Sequence, residues 1–338
     1  MTSLADLTGF AEGPPLEPPG AIVERIRALG APLGVDALPL LTERAAIWSY
    51  TRNGRISCGG ATRLMPTADG WLALSLTRPD DEDLVPAWIG CEANWQDIEA
   101  SIATRATVDL VERGRLLGLP LAALGERAAG PLTKRTRLGD AIPLESAPLV
   151  VDLSSLWAGP LCTRLLRDRG ARVVKVESRA RPDGARRGPA AFFDLMHDGK
   201  EFVTIDFTHD SLHELLLSAD VVIEGSRPRA LEQLGLDARD MIESGPRIWL
   251  SITGHGRDEP QRDWVGFGDD AAVAGGLVGW WQGMPCFMGD AIADPLTGIA
   301  GAVAVLEAVN DGGRWLIDCN LAGVAAYVAQ YRRRSSCL

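Results

Sequence analysis

Two short β-branched runs bracket a helix between Leu149 and Glu177, and that unit limits what the chain can fold into. The stretch reads Leu149-Val150-Val151-Asp152-Leu153, then Ser154-Ser155-Leu156-Trp157-Ala158-Gly159-Pro160, then a helical run, then Ala171-Arg172-Val173-Val174-Lys175-Val176-Glu177. Strand, crossover helix and strand in this order feed a parallel sheet, because parallel neighbours need a connection of about a dozen residues. Pro160 falls in the first helical turn and Gly170 just past the last, the preferred place for each. Leu161, Leu165 and Leu166 form the apolar stripe that lies on the sheet. Ligands of such sheets bind in the crevice outside the carboxyl ends of the strands. No G-x-G-x-x-G follows Leu153, so the dinucleotide fingerprint is missing.

Further strands are expected at 202–206, 220–224 and 247–252, alternating with helices. With 148–153 and 172–177 they define an α/β fold class, a doubly wound, mostly parallel nucleotide-type sheet. After Asp269 the chain reads as mostly helical. The weakly charged run 271–289 holds five glycines and a proline, which favours a buried helix and loop over a membrane span. Upstream, 21–29 and 38–50 have helical spacing, Ala68-Asp69-Gly70 turns into a strand at 71–76, and helices follow near 95–104 and 106–117. Residues 1–20 are rich in Pro and Gly and read as a flexible, poorly packed leader. The expected division is therefore a leader 1–20, a smaller α+β domain 21–129, a linker 130–147, a Rossmann-like domain 148–330 and a basic tail 331–338.

A net charge of −11 argues against a nucleic-acid binder, which needs a basic face. The charge is uneven, however: residues 164–187 hold nine Lys/Arg against three Asp/Glu, either a solvated face or a polyanion site. Cys58, Cys91, Cys162, Cys286, Cys319 and Cys337 show no ligand spacing, and with four histidines no metal site is expected. No charged-then-apolar leader opens the sequence, so the expected location is cytoplasmic, with reduced thiols.

The motif D-L-S-x-x-x-A-G-P, a leucine-rich helix and G-A-x-V-x-K-V-E together resemble the opening of the class III CoA-transferase family. This CaiB/BaiF type includes the α-methylacyl-CoA racemases. The resemblance runs on through His197-Asp198-Gly199-Lys200, Ala219 to Glu224, Arg227-Pro228, Leu234 to Asp237, Pro246-Arg247-Ile248, Ser251 to Gly256, the D-x-x-x-G-x-x-A-A helix from Asp294 to Ala308, and Trp315 to Leu321. Asn53 to Leu76 and Gly118-Leu119-Pro120 resemble the family's small-domain portion, which normally follows the nucleotide-type domain. The chain thus resembles the family in circularly permuted order.

The resemblance implies coenzyme A as co-substrate without a metal, small acyl-CoA and carboxylate partners, and a homodimer. It implies an aspartate nucleophile, acylated as a mixed anhydride and then converted to a thioester. The family pattern puts it in a G-x-D loop; ungapped alignment places Gly268 there, and a shift of one places Asp269, with Asp270 next in line. As a bland alternative, either aspartate could cap the apolar helix that follows. Gly254-His255-Gly256 matches the loop that approaches the thioester. For CoA the matching positions are Leu156, Trp157 and Ala158, then Arg179, Lys200, Arg227 and Ala230. The implied function is CoA transfer between a thioester and a carboxylic acid. Alternatives are an acyl-CoA racemase or epimerase, and a catalytically inactive CoA-binding paralogue.

Overall fold

The computed structural model describes residues 2–141 and 147–330. Twelve strands occur among them: β1 Thr62–Pro66, β2 Trp71–Ser75, β3 Leu121–Ala123, β4 Lys134–Gly139, β5 Leu149–Asp152, β6 Arg172–Ser178, β7 Glu201–Ile205, β8 Val221–Glu224, β9 Ile248–Thr253, β10 Val278–Trp281, β11 Met284–Phe287 and β12 Arg314–Asn320. Seven of these form one sheet in the order β4-β12-β9-β8-β5-β6-β7. All neighbours are parallel except β4, which runs antiparallel to β12. The chain moves outward from β5 through β6 to β7, then returns to lay β8 on the other side of β5. That reversal puts a crevice beyond the carboxyl ends of β5 and β8.

The period-two pattern explains why these runs become strands. Val150, Val173, Val221 and Leu250 face one buried layer, and Val151, Val174, Val222 and Trp249 the other. Strands buried on both faces read as continuous apolar runs. Over the first layer lie the helices Ala158–Arg167 and Ala293–Asp311. A Cβ at Gly298 would come within 2.6 Å of the Ala158 carbonyl, and one at Gly301 within 3.3 Å of Cys162 Sγ. The glycine of the D-x-x-x-G motif therefore lets the two helices touch backbone to backbone, one turn below Asp294.

A second, antiparallel sheet has the order β1-β2-β3. Leu72 and Leu74 of β2 pack beneath the helices Pro79–Ile89, Trp95–Ile102 and Thr107–Leu117, with Val85, Trp88, Ile98 and Leu110. The opposite side, Leu64 and Ala73, packs on Val273 of the helix Gly268–Ala274. Residues alternate along the strand, so one face builds a core and the other meets the rest of the chain.

Several expectations need correcting. The opening is packed: Leu4, Ala5, Leu7 and Thr8 are buried, and Thr8 Oγ1 accepts from Gly289 N at 3.3 Å. The stretch expected as linker contains β4; its Lys134, Arg135 and Arg137 sit on a half-exposed edge strand, where charge discourages further pairing. The helix expected at 38–50 is two short ones, Ala37–Leu40 and Glu43–Trp48. The run 271–289 holds the hairpin β10–β11, turned by left-handed Gln282 and Gly283, a pair suited to a two-residue loop. The tail 331–338, with Cys337, lies outside the described residues.

Among the described residues no helix is long and apolar enough to cross a membrane.

Candidate active site

Four aspartates and one arginine meet where the second sheet, the opening segment and the helix Ala293–Asp311 converge. The loop 288–292 is pinned at four points. Gly289 N donates to Thr8 Oγ1, and Cys58 Sγ lies 3.3 Å from the Gly289 carbonyl. Asp290, fully buried, takes Arg44 Nε at 2.7 Å and also Arg44 Nη2. Ala291 N donates to Asp269 Oδ1 at 2.9 Å. Gly289 and Ala291 are both left-handed, at φ 73° and 41°. A left-handed alanine is strained and persists because the surrounding bonds hold it.

Asp269 and Asp270 open the helix Gly268–Ala274, whose N-cap is Phe267. Asp270 is fully buried; its Oδ1 accepts from Ser75 Oγ at 2.7 Å and Phe267 N at 3.0 Å. Its Oδ2 has no hydrogen-bond partner among the described residues. Burial pushes its pKa up to about 7. It ties the helix start to β2, which is a structural duty. Asp269 keeps part of its surface open; beyond Ala291 N it accepts from Thr62 Oγ1 at 3.3 Å, and burial followed by Asp290 raises its pKa to about 6.

Asp294 stands in the first turn of the 19-residue helix Ala293–Asp311, where the helix dipole favours negative charge. It is partly accessible, and among the described residues no side-chain hydrogen bond engages its carboxylate. Burial, then the carboxylates Asp269, Asp270 and Asp290, push its pKa up to about 7 against the pull of Arg44. Gly268 makes room for it: a Cβ there would meet the Ala291 carbonyl at 2.4 Å and Asp294 Oδ2 at 2.7 Å. An aspartate at position 268 would collide with this loop, so the ungapped placement of the nucleophile at 268 does not fit the fold.

The crevice loop adjoins this cluster. Arg44 bridges the two, its guanidinium 4.9 Å from the centre of the Trp157 ring while it grips Asp290. Trp157 and Ala158 are buried, whereas Leu156 is 43% exposed and left-handed at φ 71°. Arg227 is exposed at the N-cap of the helix Pro228–Glu232, with Ala230 exposed on that helix. Arg227 and Arg229 line a cleft of about 1220 Å³ together with Arg115, Trp71, Trp264 and Trp280. None of the four aspartates lines it; Trp71 is its link to the cluster, two residues from Ala73 and four from Ser75 along β2.

One expected ligand position, Lys200, is placed otherwise, and Arg179 stays open to solvent. Lys200 is buried, and its ammonium meets Thr163 Oγ1 at 2.7 Å, the Pro160 carbonyl at 3.0 Å and Asp152 Oδ2 at 3.3 Å. Three acceptors use its three donors, leaving none for a phosphate. Arg179 is exposed and 3.6 Å from Asp206. For the CoA that the resemblance implies, Lys200→Met is accordingly expected to lower the unfolding temperature and leave affinity within about twofold, and Arg227→Ala is expected to weaken binding about threefold to tenfold with an unchanged unfolding temperature. Calorimetry of unfolding and of CoA binding on both variants checks this.

The four histidines take other partners. His197 packs on Phe193, and its Nδ1 is 3.3 Å from Lys200 Nζ. His209 stacks on His213. His255 is buried edge-on to Trp264, and burial lowers its pKa to about 3. Its flanks serve close packing: Gly254 backs on Gly266, and left-handed Gly256 lies beside Asp318. Arg44, Asp290 and Asp294 escaped the sequence reading. Asp294 carried a usable signal, since it heads the D-x-x-x-G-x-x-A-A helix; Arg44 carried none.

The raised carboxyls also predict a pH dependence. The native state binds more protons than the unfolded chain between about pH 4 and 7, so these groups make stability fall as pH rises through that window. Neutral buried His255 tilts the other way up to its ordinary pKa, so the readable quantity is a difference. Asp270→Asn is expected to flatten the fall by up to about 1.4 kcal/mol per pH unit around pH 5 to 6, with the difference fading through pH 7, measured by urea unfolding from pH 5 to 8. Parallel curves for variant and wild type would refute it. Among the described residues no group of three or more His, Cys, Asp or Glu side chains is arranged to hold a metal.

Comparison with known proteins adds an independent line. The family described as CoA-transferase family III matches residues 148–333, more than half of the chain. An acyl-CoA transferase of Fusarium pseudograminearum is 32% identical over 199 residues, 51% of this chain and 44% of that protein. The succinyl-CoA–L-malate CoA-transferase beta subunit of Chloroflexus aurantiacus is 35% identical over 177 residues, 48% of this chain and 44% of its own length. A CaiB/BaiF family protein from Brucella suis, known from its crystal structure, matches with a TM-score of 0.48 and 30% identity over 54% of each chain. The chain spans about half the length of the curated relatives it matches.

Proposed function

The chain belongs to CoA-transferase family III, and from that premise we propose that it moves CoA between an acyl-CoA thioester and a carboxylic acid through an acylated aspartate. The observation that carries this is Asp294: a partly accessible, poorly solvated carboxylate, with no side-chain hydrogen bond among the described residues, at a helix N-terminus one turn from the contact with the crevice loop. Such a group ionises near neutrality and, once ionised, is a better nucleophile than a fully hydrated one. Asp269, the nucleophile expected from sequence, is the second reading, supported by its own accessibility and raised pKa. Its bonds to Ala291 N and Thr62 favour a supporting role, in which it holds the loop before Asp294.

The cycle keeps bonds and charges balanced. The aspartate oxygen attacks the thioester carbonyl, giving a mixed anhydride and CoA thiolate. The thiolate attacks the aspartyl carbonyl, forming an aspartyl thioester and freeing the first acid. The incoming carboxylate attacks that thioester, again giving an anhydride and thiolate. Attack of the thiolate on the new acyl carbonyl then yields the product thioester and regenerates the aspartate. CoA lies along the crevice loop Leu156–Ala158, with Arg227 at its phosphates and exposed Arg179 as the second arginine proposed for that role.

The remaining parts of the reading follow the resemblance. The β5–β9 region acts as a Rossmann-like CoA domain, the region around β1–β3 as the small domain in permuted order, and the working unit is a cytoplasmic homodimer. A racemase needs a base facing the carboxylate, and among the described residues no histidine is hydrogen-bonded or ion-paired to Asp269 or Asp294. The test incubates the protein with an acyl-CoA and an isotopically labelled free acid in deuterated water. Labelled acyl-CoA is the expected product. Deuterium at the α-carbon without label exchange would point to a racemase, and neither product, with CoA still bound, to an inactive paralogue.

A further inference from the structure

The buried charges beneath the crevice loop play no part in the proposed chemistry, yet they grip that loop at two points. Lys175 and Asp183 are side chains with no exposed surface, 3.2 Å apart. Lys175 Nζ donates to the Ser154 carbonyl. Asp183 Oδ1 accepts from Leu156 N at 2.9 Å and from Ala185 N at 2.9 Å. Asp183 is itself fixed, its own N donating to Glu177 Oε1 at 2.9 Å, and Glu177 is clamped by Arg186.

Between the two grips stands Leu156, left-handed at φ 71° and 43% exposed. A bulky L-residue does not stay in that conformation unless its surroundings hold it there. The next residue after Asp183 contributes as well: a Cβ on Gly184 would come within 2.8 Å of Leu156 Cδ2, so the glycine leaves the leucine its seat. Buried ion pairs contribute little net stability but can fix one arrangement against others.

We propose that Asp183, braced by Lys175, is a positioning residue that holds Leu156 left-handed at the crevice mouth, and that CoA binding depends on this hold. The second clause rests on the reading of the crevice as the CoA site. The two functions of Asp183, as hydrogen-bond acceptor and as counter-charge, can be separated. Asp183→Asn keeps the acceptor for Leu156 N and removes the charge that pairs with Lys175. Asp183→Ala removes both. Gly184→Ala displaces the leucine without touching a buried charge.

The experiment measures three quantities on each variant: unfolding temperature, CoA affinity by calorimetry, and hydrogen exchange of the peptide containing Leu156. Asp183→Asn is expected to unfold at lower temperature yet bind CoA within about twofold of wild type, with the Leu156 peptide still protected. Asp183→Ala is expected to bind CoA about tenfold more weakly, the equivalent of ~1.4 kcal/mol, and to lose that protection. Gly184→Ala is expected to bind about threefold more weakly at an unchanged unfolding temperature. A purely structural role would make affinity follow stability, with the Asn variant as weak a binder as the Ala variant. That outcome, or unchanged affinity and protection in both Asp183→Ala and Gly184→Ala, overturns the proposal. If the wild type binds no CoA, the CoA reading fails, while the exchange data still decide whether Asp183 holds the loop.

Discussion

Asp294→Ala is expected to lose thioester exchange by at least about 10³-fold while the protein stays folded. The size follows from removing the group proposed to be acylated, because no other step of that cycle can begin without it. Stability is spared because the lost carboxyl makes no side-chain hydrogen bond among the described residues and is held above its ordinary pKa by burial and by Asp269, Asp270 and Asp290. At pH 8, where it is mostly ionised, its removal relieves repulsion. Asp269→Ala is expected to be milder, about tenfold to a hundredfold, since it unpins Ala291 and lets the loop before Asp294 drift by a fraction of an ångström. Label exchange at saturating acyl-CoA, beside unfolding curves for both variants, checks the pair. A reversed order, with Asp269→Ala dead and Asp294→Ala active, would return the nucleophile to Asp269.

Arg44→Met costs about 3–5 kcal/mol of stability at pH 7, the cost of leaving a buried carboxylate without its partner. Asp290 has no exposed surface and holds Arg44 through two hydrogen bonds, while the guanidinium lies against Trp157. The arginine also draws down the pKa values of Asp269 and Asp294, so its loss sends both further up. Residual activity should therefore recover as pH rises, as the carboxylates ionise again. The second substitution Asp290→Leu in the same chain should restore most of the stability and none of the crevice contact. Denaturant unfolding and a pH–rate profile measure the two effects. A single variant within about 1 kcal/mol of wild type, with an unshifted profile, would mean that Arg44 is neither anchor nor electrostatic counterweight.

The parts of the fold that were legible are those whose physics is local. β5 and β6 announce themselves because strands buried on both faces need unbroken β-branched runs, and Pro160 and Gly170 mark the ends of the helix between them. β4 was hidden because an edge strand carries charge to stay unpaired, and Lys134 to Arg137 read as a basic loop. The hairpin β10–β11 was hidden by its glycines: Gly283 serves the left-handed turn and Gly279 lies within β10, where a buried helix and loop was expected.

The site divides in the same way. Asp269 and Asp270 were found from a motif, but a motif cannot say which carboxylate is already bonded: Asp270 to Ser75 and Phe267, Asp269 to Ala291 and Thr62. Arg44 and Thr8 reach the cluster from more than 200 residues away in sequence, with separations of 246 and 281 residues from their partners in the loop 288–292. Lys200 was misread because a lysine beside a turn is usually exposed, and only the fold reveals the three acceptors that bury it.

Mass spectrometry of the trapped intermediate tests the central claim most directly. The protein is incubated with an acyl-CoA, quenched with borohydride or hydroxylamine, digested and mapped. The account predicts that the modification falls on the peptide of the helix Ala293–Asp311 at Asp294, and disappears in Asp294→Ala. Modification at Asp269 with Asp294 untouched, or label exchange with no modified aspartate at all, would contradict it.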